Sequence, residues 1–489
     1  MAPASWYEAA PGVWRRPFHG AESMHAELCQ FDGFATICSG VTLQSARERD
    51  SLVASVRQGW IALRYRHPCA AYRSNRPLAS QKGECTFEYT VPSEPDAVEQ
   101  WADQTYVYHQ TAVDKSGLAD EVRRDYRKSA IIGSGDYLSS LHLAQDPTTP
   151  QEYHLYIYTP HSVTDGRGSL LMLDYILTQA FESSERFEPK WGSEVSRLNE
   201  PILYEVGLRC PRDETPSAFP AIMKAIGQKA LEKQPVCRLK CHPNPVLLPN
   251  TRTLVSRFTI PAATAIAVLS TIREHHATFS YTFATLFALA TYKVAVNRTE
   301  AKTVELPHPA IDHRWRFQSP RDHLGYSGAT CSLVIDTKAL QELLDEYENT
   351  GQLRDSQKMW SLVEEVERQW GGAKTNDLIF SLTPEITLSV LEALKSRPES
   401  AYVGTPFLSV LGRVDDFIKH IYSSDIEVSD PSVELTGGAK IFPYHVWSWK
   451  KKLTIQRAYG KDWVELETLQ EFEKYLLQYY HALVAENVA

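Results

Sequence analysis

The residues that invite a chemical reading run Tyr158-Thr159-Pro160-His161-Ser162-Val163-Thr164-Asp165-Gly166-Arg167-Gly168-Ser169. An aromatic and β-branched run precedes the segment. An amphipathic leucine pattern follows it, so its polar residues fall on a strand-loop-helix junction. An imidazole with its ordinary pKa of about 6.5 accepts protons near neutral pH, and a strand-anchored loop holds it still, as a general base requires. His161 is therefore the candidate base, with an apparent pKa expected near about 6.5 if burial and neighbours cancel. Gly166 and Gly168 allow positive φ or close backbone approach. Asp165, four residues on, has the spacing of a carboxylate that orients a base. The same spacing also arises by chance, and a lone histidine is more often a packing or surface residue.

Other constellations carry less. No G-x-S-x-G elbow is present, so no serine is marked as a nucleophile; Ser162, Ser169 and Ser409 are the hydroxyls that flank the proposed site. Cys237 and Cys241-His242 lack a second ligand pair at metal-site spacing, and no metal is expected. His275 and His276 are adjacent on a helix and face different ways. Trp447-Ser448-Trp449 could line an apolar pocket, although packing is the commoner role.

The elements around the motif read as follows. Residues 41–66 place Leu52, Val53, Val56, Trp60 and Leu63 at helical spacing, ending before His67-Pro68. Residues 153–160 read as a strand, and Leu170, Leu173, Leu177, Ala180 and Phe181 as one face of a helix. From about 186 to 250 nine prolines break the pattern. That stretch reads as a crossover with a short helix at 217–232. Patterning restarts with strands at 252–260, 329–336, 405–411 and 451–458. Helices are expected near 262–275, 279–297, 338–347, 355–370, 385–396 and 465–485. The reading is two similar-sized α+β or α/β domains, 1–200 and 251–489, with 201–250 linking them and a cleft between them.

The chain has 489 residues, 43% hydrophobic and 23% charged, with a formal net charge of -9. That is a globular composition. The acidic balance argues against a nucleic-acid partner. The eight cysteines are scattered and read as reduced thiols. No signal-like apolar segment opens the chain and no long uncharged run follows. A cytoplasmic protein with no membrane partner is expected.

The segment containing His161, Asp165 and Gly166 resembles the H-x-x-x-D-G motif of the CoA-dependent acyltransferase superfamily, which includes BAHD acyltransferases, carnitine acyltransferases and peptide condensation domains. Five further segments resemble that family in its order. They are Trp60–Pro68, ending in Arg66-His67-Pro68; Leu286–Tyr292, followed by Asp312-His313-Arg314-Trp315-Arg316; Leu324–Thr330; Phe407–Gly412; and Lys452–Tyr459. Pro160 stands where condensation domains usually carry a first histidine, which favours a BAHD-like enzyme. The D-F-G-W-G motif of plant BAHD enzymes is absent, and the nearest region reads Glu434-Leu435-Thr436-Gly437-Gly438-Ala439. The chain is most similar in pattern to a fungal branch, the trichothecene 15-O-acetyltransferases.

The resemblance implies an α/β fold of two chloramphenicol-acetyltransferase-like domains with the active site in a tunnel at their interface, and transfer of an acetyl or other acyl group from CoA to a hydroxyl of a small, fairly apolar metabolite such as a sesquiterpenoid. Acetyl-CoA is then a co-substrate, no cofactor is tightly bound, and a monomer is expected. His161 would be the base in a ternary complex. Asp165 would turn from the site to pair with Arg314, with Arg316 as the alternative; the competing reading leaves both arginines solvated. Oxyanion donors could be backbone N–H groups near Gly166, or Ser409 with Gly412, although Ser409 also reads as an ordinary strand serine. Lys374, Lys440 and Lys450-Lys451-Lys452 could meet CoA phosphates, but charge runs are usually solvated and none is assigned. A condensation-like domain fed by a carrier protein and a non-catalytic binding relative are the competing functions.

Overall fold

The computed structural model describes residues 5–30, 35–75, 85–129, 135–183, 187–232, 234–242, 253–396, 404–436, 441–460 and 463–484. The chain divides into two compact units of nearly equal length. The first comprises Met1–Gly207, Arg314–Ser327 and Arg413–Thr436; the second comprises Leu208–His313, Gly328–Gly412 and Gly437–Ala489. The contiguous division expected from the sequence thus differs at two segments of the second half, which return to the first unit. The stretch read as a linker is also not a bare connection. Its residues from Leu208 onward belong to the second unit and include the helix Phe219–Glu232.

The first unit is built on a six-stranded sheet. Its spatial order is Ile421–Ser423, Ile426–Leu435, Thr36–Ser45, Glu152–Pro160, Ser140–Gln145 and Tyr106–His109. All neighbours are antiparallel except the last pair, which is parallel. Thr36–Ser45 and Glu152–Pro160 are buried along almost their whole length, because helices cover both faces. Cys38, Tyr156 and Tyr158 pack with Leu118, Ala119 and Val122 of the helix Lys115–Ser129. Ser39, pointing the other way by strand alternation, hydrogen-bonds Ser169 of the helix Gly166–Phe181 across 2.6 Å. Val41-Thr42-Leu43-Gln44 alternates apolar and polar as a strand does, and residues 41–45, read as helix in the sequence, are strand here because the helical period stops at the cap Glu48. The helix itself spans Arg49–Arg66.

Helices Arg49–Arg66 and Gly166–Phe181 touch at Gly59. A β-carbon there would lie 2.4 Å from the carbonyl oxygen of Ile176, so only glycine permits the approach. A second, four-stranded sheet has the order Tyr7–Ala10, Val13–Pro17, Thr86–Thr90, Arg73–Asn75.

The second unit holds a four-stranded sheet, Thr405–Arg413, Ile441–Trp449, Lys452–Gly460 and Thr253–Ile260 in spatial order, and the hairpin Thr303–Asp312 with Gly328–Asp336. Helix Phe279–Val294 is buried from Thr282 to Tyr292. Phe287 packs edge-on against Phe472 of the helix Leu466–His481 at 4.9 Å between ring centres. Both units are mixed α/β. Among the described residues no helix is long and apolar enough to cross a membrane.

Candidate active site around His161

Strand Glu152–Pro160 delivers His161 at its carboxyl end. The ladder continues for one more bond, from the His161 N–H to the carbonyl of Ala35 at 2.9 Å, so His161 inherits the rigidity of a central strand. Its Nδ1 lies 2.9 Å from the carbonyl oxygen of Thr164. A carbonyl only accepts, so Nδ1 carries the proton and Nε2 keeps its lone pair. Burial pushes the imidazole below its ordinary pKa, and the Asp165 charge and the Thr164 carbonyl raise it back only in part. Burial and neighbours therefore do not cancel, contrary to the expectation from sequence: the ring is neutral at pH 7.

Asp165 does not reach His161. It caps the helix Gly166–Phe181, accepting from the N–H groups of Arg167 (3.1 Å) and Gly168 (2.9 Å). Arg314 Nη1 donates to both carboxylate oxygens at 2.9 Å, and the Ser327 N–H adds a bond of 3.0 Å. Burial alone would raise this carboxyl. The Arg314 charge and the donated hydrogen bonds outweigh it, and its pKa falls below the usual carboxylate range. Arg314 is itself held, giving Nε to the His323 carbonyl (2.8 Å) and Nη2 to the Gly325 carbonyl (2.9 Å). It lies in a short 3-10 turn, Arg314–Arg316, after the strand has ended at Asp312. Arg316 stacks over Trp315 instead.

Gly166 and Gly168 both lie in the helix, so positive φ is not their use. Gly168 is needed for space: a β-carbon there would meet Thr164 Oγ1 at 2.2 Å, the Leu324 carbonyl at 2.6 Å and Arg314 Nη2 at 2.7 Å. Two of the N–H groups near Gly166, those of Arg167 and Gly168, are already bound to Asp165 and are not spare oxyanion donors. Ser409 and Gly412 lie on the strand Thr405–Arg413 of the second unit. Ser409 is buried and Gly412 has φ of 87°.

The candidate nucleophiles fare poorly. Ser169 is bonded to Ser39 and to the Gly166 carbonyl, and Ser162 is fully buried. Ser162 lines a cavity of about 10 Å³ with Arg16, Tyr72, Glu200 and His323, room for about one water and far too small for an acyl donor. Trp447 and Trp449 are buried, as packing residues are. Among the described residues no cysteine joins a group of metal-ligand geometry. Gly437, Gly438, Ala439 and Lys440 lie outside the described residues.

Sequence reasoning missed His25. Its ring stacks on that of His161 at 4.2 Å between centres and 11° between planes, and Tyr326 meets the His161 ring edge-on at 5.5 Å. Nothing in the sequence links residue 25 to residue 161, since the contact exists only through the fold.

No protein-family model and no curated protein matches the sequence. Solved structures do match. The TRI3 trichothecene 15-O-acetyltransferase from Fusarium sporotrichioides is 14% identical, with a TM-score of 0.82 over 99% of both chains. The starter condensation domain of rhizomide synthetase, a point variant in complex with C8-CoA, is 14% identical, with a TM-score of 0.62 over 95% of this chain and 94% of that one. The first condensation domain of the CDA synthetase is 11% identical, with a TM-score of 0.59 over 97% of each chain. At these identities the likeness concerns the fold: the chain has the two-domain α/β architecture shared by an O-acetyltransferase and by condensation domains.

Proposed function

We propose that the protein is an O-acyltransferase that moves an acetyl or other acyl group from CoA to a hydroxyl of a small secondary metabolite, a trichothecene-like sesquiterpenoid being the leading candidate. The observation that carries this reading is the tautomer of His161. With Nδ1 donating to Thr164, Nε2 is the free base, and burial keeps it unprotonated at neutral pH.

In the proposed reaction Nε2 takes the hydroxyl proton as the oxygen attacks the thioester carbonyl. The tetrahedral oxyanion then collapses, the C–S bond breaks, and the same proton passes to the departing thiolate. The products are the ester and CoA thiol, with no change of oxidation state. Asp165 and Arg314 act on this chemistry only by fixing the loop. Direct attack with both substrates bound is supported by the state of the three candidate hydroxyls: Ser169 is held by Ser39 and the Gly166 carbonyl, and Ser162 and Ser409 are buried.

Incubating the protein with labelled acetyl-CoA and a panel of hydroxylated terpenoids tests the proposal, with ester formation read by mass. Acylation only from a carrier-bound thioester would favour the condensation-like alternative. No transfer from either donor, with binding retained, would favour a non-catalytic relative. Pro160 before His161 weighs against the condensation reading.

A further inference from the structure

His25 sits on the helix Ala21–Gln30, and that helix is fixed on one face. Glu22, His25 and Cys29 fall three and four residues apart, on the same side. Glu22 accepts from both terminal nitrogens of buried Arg16, at 2.8 and 2.9 Å. It also caps the His19 N–H at 2.9 Å. Cys29 Sγ reaches the Ala35 carbonyl at 3.4 Å, the same carbonyl that takes the His161 N–H. The helix carrying His25 and the strand end carrying His161 are thus tied through one shared acceptor, on either side of two rings stacked almost in parallel.

We propose that His25 is a positioning residue for the base: its ring is the plate against which the imidazole of His161 lies, covering that face from solvent. The inference rests on the general-base reading of His161 and deepens it. Three constraints then fix the ring. Thr164 sets its rotation and tautomer, His25 covers one face, and Tyr326 closes the edge. The loop's hydrogen bonds alone leave the ring free to tilt about the Nδ1 bond, and a tilted Nε2 misses the hydroxyl proton. Among the described residues the titratable or charged groups near the pair include Glu22 and Cys29 from the helix, Asp165 from the loop, and Arg314 and Tyr326 from the returning segment. His25 also meets the Tyr326 ring at 5.4 Å between centres, a contact that His25→Phe can keep.

The test uses the full chain with isotope-labelled histidine. His161 is assigned through His161→Asn, and its ring titration is followed by NMR. His25→Phe keeps a flat ring, whereas His25→Ala and His25→Leu remove it, the leucine filling the volume should alanine fail to fold. With His25→Ala or His25→Leu the His161 pKa is expected to rise by about one unit as solvent reaches the exposed face, and with His25→Phe to stay within about half a unit of the native value. In acyl transfer from acetyl-CoA to the terpenoid panel, loss of the ring should lower kcat about tenfold with KM for acetyl-CoA nearly unchanged, and His25→Phe should restore most of it. An unchanged His161 titration after loss of the ring, or a phenylalanine variant that behaves like alanine, would overturn the inference. A native protein without transferase activity would sink the functional reading instead, while the titration would still decide the role of His25.

Discussion

Thr164 accepts the Nδ1 proton of His161 on its carbonyl oxygen and gives its own hydroxyl proton to the carbonyl of Leu324. One residue therefore sets the tautomer of the candidate base and pins the loop that carries it to the segment Arg314–Ser327. The neighbouring carboxylate of Asp165, which the spacing offers as an orienter, is committed elsewhere.

Removing the proposed base should leave the fold intact. His161→Ala is expected to lower kcat by about 10²–10⁴, with the thermal transition close to the native one. Retained activity would assign the base elsewhere.

Asp165→Ala and Arg314→Ala should act through stability. Each leaves a buried charge unpaired, at a cost of about 3–5 kcal/mol, and should reduce soluble yield along with activity. The pH dependence has a definite sign. A carboxyl whose folded pKa lies below its unfolded value contributes stability above the unfolded value, and loses it as pH falls through the folded one. Acid unfolding of the native protein should show this contribution, and Asp165→Asn should lack it. Native-like thermal stability in both alanine variants would contradict the structural role.

The two kinds of glycine should separate in a thermal melt. Gly168→Ala drives a methyl against Thr164, Leu324 and Arg314 and should cost about 1–3 kcal/mol. Gly227→Ala, in the helix Phe219–Glu232 with open space around it, should stabilise by about 0.5–1 kcal/mol.

Initial rates at varied acetyl-CoA and acceptor should give intersecting double-reciprocal lines. Parallel lines, or a protein one acetyl heavier after exposure to acetyl-CoA alone, would show a covalent intermediate and rule out direct attack.

The rate should fall on the acid side as Nε2 becomes protonated. Because burial holds the folded pKa of His161 down, the fall is expected below the ordinary value of about 6.5. An acid limb at or above that value would mean that the ring is more hydrated than its packing indicates.

Much of this site is local and hence legible. His161, Asp165, Gly166 and Gly168 fall in one short segment, and the strand and helix flanking it announce themselves by period. The strand expected at 153–160 lies within a residue of Glu152–Pro160 for that reason, while the helix whose apolar face runs Leu170–Phe181 starts four residues earlier, at Gly166. What escaped the sequence is what tertiary contact creates. Residues 41–45 belong to strand Thr36–Ser45, because the helical period of Arg49–Arg66 does not extend past its cap Glu48. Helix Asp377–Ser396 runs through Pro384, where the sequence suggests a start at 385. The stack of His25 on His161 joins residues with no common pattern.

The return of Arg413–Thr436 to the first unit has a consequence for biosynthesis. Strand Ile426–Leu435 pairs with Thr36–Ser45, and Arg314 is the partner of Asp165. When the ribosome has made residue 207, the nascent first unit still lacks both. At about 5–20 residues per second, the wait until residue 436 is about 10–45 s. Through that interval the backbone edge of Thr36–Ser45, which carries Ile37, Val41 and Leu43 on one face, stands unpaired, a template for intermolecular strand addition. Co-translational covering of this edge is then expected to set soluble yield alongside the buried Asp165–Arg314 pair.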